Sequence, residues 1–111
     1  MRKLDIGIDE KTVREIVARV VRTSRPDRII LFGSAATDNM TPNSDIDLLV
    51  LHRSPVDARE ERLRIRKVLR GLGLSFDIIV MATDRFEESK EVIGGIAYPA
   101  NKYGKTIYEA A

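Results

Sequence analysis

The run Ile46 to Leu51, IDLLVL, leaves this chain the fewest options. Behind Asp47 it is apolar with no alternation. A strand with one wet face alternates polar and apolar residues, whereas one covered on both faces reads as a continuous apolar stretch. A strand buried on both sides needs partners beside it and helices above and below, which implies an α/β layered fold. Two shorter runs of the same character, Arg28 to Phe32 and Phe76 to Met81, are β-branched and apolar and supply further strands.

The segments between them read as helices. Asp9 can cap a helix reaching about Thr23, because Val13, Ile16, Val17, Val20 and Val21 recur at helical spacing and form one apolar stripe. Glu10/Arg14 and Glu15/Arg19 add favourable i, i+4 pairs on its wet side. Ser24 to Asp27, with Pro26, ends it. After the strand at Phe32, Gly33 permits a sharp exit. Ser34 to Thr37 suits a turn of helix, and Asp38 to Asn43 reads as an exposed loop. Ser54 is the expected cap of the next helix, with Pro55 at its first position and Asp57 in its first turn. Ile65, Val68, Leu69 and Leu72 give that helix a core face, and Gly71 and Gly73 end it. Thr83 is the expected cap of a helix interrupted at Gly94-Gly95. Ile96 to Tyr103 forms a further helical piece stopped by Gly104, and Lys105 to Tyr108 an edge strand. The expectation is one domain over 1–111, α/β, with a sheet of three to four strands and helices packed against it.

The chemistry gathers at two turns. Gly33-Ser34 closes the first strand, ten residues follow, and Ser44-Asp45-Ile46-Asp47 opens the second. In a strand, residues i and i+2 share a face about 6.5 Å apart, so Asp45 and Asp47 stand side by side. Paired carboxylates repel unless a proton or a cation lies between them. A hard divalent ion such as Mg2+ takes oxygen ligands and is readily shared with substrate phosphates. The Gly-Ser turn offers backbone N–H groups and a hydroxyl to such phosphates. Asp-x-Asp alone also fits a strand that begins in a solvated turn; the turn ten residues earlier and the apolar run behind Asp47 favour the metal reading. Asp77 is a third acid heading an apolar strand, and it must either reach solvent or meet a cation.

These residues, LFGS at 31–34 and PNSDIDLLV at 42–50, resemble the signature of the nucleotidyltransferase superfamily related to DNA polymerase beta. The resemblance is closest to minimal nucleotidyltransferase (MNT) domains and extends to the tail, Val92 to Ala100 with Gly104 and Ile107-Tyr108-Glu109. It implies a small mixed-sheet nucleotidyltransferase fold in which Asp45 and Asp47 bind Mg2+ against a nucleoside triphosphate. Asp77 would complete the catalytic site or act as general base, while Gly33 and Ser34 hold phosphate. It also implies transfer of a nucleoside monophosphate, AMP from ATP, to a hydroxyl such as a tyrosine of a HEPN-domain partner, as the antitoxin of a toxin–antitoxin pair. Two departures stand out. Many MNT domains follow Gly-Ser with Arg-x-Arg-Gly, and this chain has Ala35-Ala36-Thr37-Asp38; they often carry Glu before the last glycine, and here it is Tyr103. The missing cations keep an alternative open, a module of little or no catalysis that neutralises a toxin by contact.

Other features exclude or leave room. The absence of cysteine removes disulfides and thiolate metal sites and fits a reducing cytoplasm. No run approaches the roughly 18 apolar residues of a membrane helix, and the acidic residues from Leu4 to Lys11 do not suit a signal peptide. A net charge of +2 does not demand nucleic acid, and no basic–aromatic interleaving appears. Arg59, Arg62, Arg66 and Arg70 recur along one helix face, a solvated stripe or a contact for an acidic partner or nucleic acid. His52, the only histidine, reads as a surface or packing residue, and Tyr98, Tyr103 and Tyr108 as packing residues of the C-terminal layer. The apolar tail is a candidate oligomer or partner surface.

Overall fold

The computed structural model describes residues 8–36 and 45–111, apart from the side chains of Ser34 and Ala35. The expected loop from Asp38 to Asn43, and Thr37 before it, lie outside the described residues. Helix α1 spans Glu10–Ser24, capped by Asp9, whose carboxylate accepts the Thr12 N–H at 2.7 Å. Strand β1 (Arg28–Phe32) follows, then a 3-10 turn at Gly33–Ala36 and strand β2 (Ile46–His52). Helix α2 (Ala58–Leu69), strand β3 (Phe76–Ala82), short helices α3 (Thr83–Ser89) and α4 (Ala97–Tyr103), and strand β4 (Lys105–Glu109) complete the described chain.

The strands form one mixed sheet in the order β3-β2-β1-β4. β1 lies antiparallel to both β2 and β4, while β3 runs parallel to β2. A parallel neighbour requires a crossover, and α2 supplies it. Every residue of β2 except Asp47 is buried. Its alternate side chains feed two separate cores. Ile46, Leu48 and Val50 pack with Val13, Ile16 and Val20 of α1 and Ile65 and Leu69 of α2. Leu49 and Leu51 pack on the other face with Phe86 of α3 and Ala97 and Ala100 of α4. Each such aliphatic side chain contributes about 1.5–3 kcal/mol by leaving water.

Two expected caps move. Asp57, not Ser54, caps α2: its carboxylate accepts the Glu60 N–H at 3.1 Å, and Ser54, Pro55 and Val56 precede the helix. An ionised carboxylate is the stronger acceptor at a helix N-terminus, where the dipole also favours it. Thr83 is the first residue of α3 and caps nothing; Ala82 holds the cap position without a side-chain bond. α1 ends where expected, with Arg25 in the left-handed region at φ 50° and its N–H bonded to the Val21 carbonyl.

Candidate active site

The antiparallel β1–β2 register sets Phe32 opposite Asp47, so the turn that leaves β1 lies beside the start of β2. The parallel β2–β3 register sets Asp47 opposite Asp77. Three separate stretches of sequence thus meet at one end of the sheet, on the face covered by α3 and α4. Neighbouring strands lie about 4.8 Å apart, so the two carboxylates are adjacent. Asp45, exposed, sits just ahead of β2.

Electrostatics agrees with this placement. Asp47 is held above the usual carboxylate range, first by burial and then by the charges of Asp77 and Asp45. Its carboxylate is therefore in a field that a cation would relieve. Gly33 has φ 69°, and a Cβ placed there would run into the Asp47 carboxylate. Only glycine allows the turn to come so close to the acid pair. Among the described residues, no three His, Cys, Asp or Glu side chains converge as a ready metal cage. Asp47 and Asp77 stand as an adjacent pair, and Asp45 lies two residues ahead of Asp47 in the chain, near enough for its charge to be felt there. The donor set is oxygen alone, which suits Mg2+ rather than a softer metal, and the raised Asp47 is the observation that such an ion would satisfy. The Ser34 hydroxyl lies outside the described side chains.

The opposite end of β2 holds a polar cluster that sequence reasoning did not anticipate. His52 is buried rather than on the surface. Its Nε2 lies 3.0 Å from Ser24 Oγ, and Ser24 Oγ donates to Glu61 Oε2 at 2.6 Å. Glu61, also buried, is reached by Arg64 at 3.4 Å. Because the Ser24 proton is committed to Glu61, neutral His52 must be the Nε2–H tautomer and donate to Ser24. Burial holds His52 below the ordinary imidazole range, against the opposing pull of Glu61 and Asp27. The cluster ties α1, β2 and α2 together about 17 Å from the acid pair, five residues along the strand. Of the tyrosines, Tyr108 packs at the margin of the core, whereas Tyr103 is exposed, with the Lys102 ammonium 5.4 Å from its ring centre.

The fold and this corner together define an α/β protein with an acid-lined site at the strand ends. The family model described as "Nucleotidyltransferase domain" matches residues 11–98, and the chain belongs to that family. The fold is also that of solved toxin–antitoxin structures. A toxin–antitoxin crystal structure with AMP-PNP aligns at 22% identity and a TM-score of 0.65, covering 88% of this chain and 73% of the other. A double Asp-to-Glu mutant of the toxin–antitoxin MntA–HpeT aligns at 20% identity and a TM-score of 0.62, with the same coverage. A tri-AMPylated Shewanella oneidensis HEPN toxin in complex with its MNT antitoxin aligns at 18% identity and a TM-score of 0.54, covering 90% and 72%. No curated protein matches the chain. No helix among the described residues is long and apolar enough to cross a membrane.

Proposed function

We propose that the chain is an MNT-type antitoxin that transfers AMP from ATP to a hydroxyl of a HEPN-domain toxin. The observation that carries this reading is the abreast placement of Asp47 and Asp77 beside a turn that admits only glycine. Family membership supports nucleotidyl transfer, and the AMPylated toxin in a structural relative supports the choice of AMP and of a HEPN partner.

Asp47 and Asp77, with Asp45, would hold Mg2+, which supplies neutralisation of the triphosphate charge and of the charge that develops on the leaving pyrophosphate. Gly33 lets the backbone approach the phosphates, and the Ser34 hydroxyl donates to one of them. Asp77 accepts the proton of the acceptor hydroxyl as its oxygen bonds to the α-phosphorus. The bond from that phosphorus to the bridging oxygen breaks, and pyrophosphate departs with the electron pair. The acceptor is presented by another protein, a reading that the AMPylated toxin of a structural relative supports.

Ala35 and Thr37, where the resemblance expects cations, favour a second reading: neutralisation by contact alone. ATP labelled at its α-phosphate, Mg2+ and the HEPN-domain product of an adjacent gene distinguish the two. Label on the toxin, lost in Asp47→Asn, supports transfer. Neutralisation that survives Asp47→Asn with no label supports contact.

A further inference from the structure

The two edges of the sheet are finished differently. β4 begins with Lys105, ends with Glu109, and pairs with β1 through a register shift between Ile29 and Ile30. Charges and irregularities of this kind discourage further strand pairing. β3 has neither. It is seven residues long, FDIIVMA, pairs with β2 in unbroken register, and contains no Lys or Pro. Among the described strands, β2 is its one neighbour.

The phase of the ladder shows which groups are left over. The Ile46 N–H donates to the Ser75 carbonyl at 2.8 Å. In a parallel ladder the residues that bond a neighbour alternate, so Ser75, Asp77, Ile79 and Met81 face β2. The backbone N–H and C=O groups of Phe76, Ile78 and Val80 point off the edge. Beside them a groove of about 240 Å³ is lined by Ile78, Ile79, Val80, Ala58, Arg59 and Arg62. Arg59 and Arg62 begin the row continued by Arg66 and Arg70, all exposed. Among the described residues none of these four guanidinium groups enters an ion pair, whereas Arg64 on the same helix is held by Glu60 and Glu61. Leu63, 54% exposed, lies among them.

We propose that the β3 edge and the arginine row of α2 form a docking surface for an extended, acidic segment of a protein partner, which adds to the sheet as a fifth strand. Its backbone pairs with Phe76, Ile78 and Val80, and its alternate side chains, carboxylates among apolar residues, lie over the groove and reach Arg59 and Arg62. A second copy of this chain fits poorly. Pairing β3 with β3 antiparallel about a two-fold axis puts both α2 helices on one face and sets the arginine row against its own copy. A nucleic acid would use the arginines but neither the strand edge nor the apolar groove. This surface is at the flank of the sheet and does not depend on whether the acid site turns over.

The test uses the full chain, isotope-labelled, with a ten-residue peptide of alternating Val and Glu, a Val/Lys peptide and a single-stranded RNA as probes. At ten times its Kd the Val/Glu peptide is expected to slow exchange of the Phe76, Ile78 and Val80 amides about tenfold, and the Val/Lys peptide to leave them unchanged. Arg59→Glu with Arg62→Glu abolishes the protection, and Arg59→Lys with Arg62→Lys keeps most of it. Val80→Pro, which removes an N–H that bonds nothing in the sheet, abolishes it while circular dichroism stays native; if that variant fails to fold, the arginine pair decides. No protection of these amides by the Val/Glu peptide overturns the proposal. So does RNA binding that needs the arginines while the peptide does not bind, or protection that rises with protein concentration alone.

Discussion

Replacing Asp47 by Asn removes a charge from the most crowded point of the sheet, and the free protein should become more stable for it. Asp47 faces Asp77 across the β2–β3 register and feels Asp45 as well. Taking carboxylates about 6 Å apart, their repulsion is about 3 kcal/mol at an effective dielectric of 20 and about 0.7 kcal/mol at that of water. Asp47 is partly exposed, so screening pulls the figure toward the lower end, about 1 kcal/mol. For a chain of this size that raises Tm by about 4 °C. The pH dependence has a definite sign. The native state holds the Asp47 proton more tightly than the unfolded chain, whose value is 3.8. Between the two values stability falls as pH rises, and above both the penalty is complete. The advantage of Asn is therefore full at pH 7 and vanishes as pH falls below the unfolded value. Urea unfolding of both proteins at pH 7, followed across the acid range, measures it. The same variant should gain nothing from Mg2+ and ATP, which at ten times Kd stabilise the wild type by about 1.4 kcal/mol. A loss of 1 kcal/mol or more at pH 7 on Asp47→Asn would refute the reasoning, since the carboxylate would then be a structural acceptor rather than a strained ligand.

Gly33→Ala should cost about 1–2 kcal/mol from the left-handed backbone alone and, because its methyl displaces the Asp47 carboxylate, abolish stabilisation by Mg2+ and ATP in thermal shift. His52→Gln should flatten the acid limb of stability: burial depresses the folded imidazole, so the wild type loses stability as pH falls from about 6.5 toward that lower value, and urea titrations from pH 7.5 to 5 will show the slope or its absence. Arg25→Gly relieves a left-handed non-glycine residue at the end of α1 and should raise urea-measured stability by about 0.5–1 kcal/mol, close to the cost of αL for a side chain less the added freedom of the unfolded glycine.

The sequence carried what depends on neighbours along the chain. Asp9 and the Val13–Ile16–Val20 stripe specify α1 because cap and period are local. The unbroken apolar run of β2 specified burial on both faces, and two distinct cores confirm it. The cap of α2 was misread because Ser54-Pro55 and Asp57 both satisfy helix-start chemistry three residues apart; acceptor strength decided it. The Ser24–His52–Glu61 cluster was invisible, since it joins residues 28 and 37 positions apart through three elements. For the site, strand periodicity could pair Asp45 with Asp47, but only the parallel register brings Asp77 alongside, and register is a property of the assembled sheet.

The most direct measurement of the central claim is paramagnetic broadening of amide resonances by Mn2+ in place of Mg2+, with ATP present. The account predicts broadening centred on Gly33, Asp47 and Asp77 and lost in Asp47→Asn. Broadening centred elsewhere, or unchanged in that variant, would contradict it.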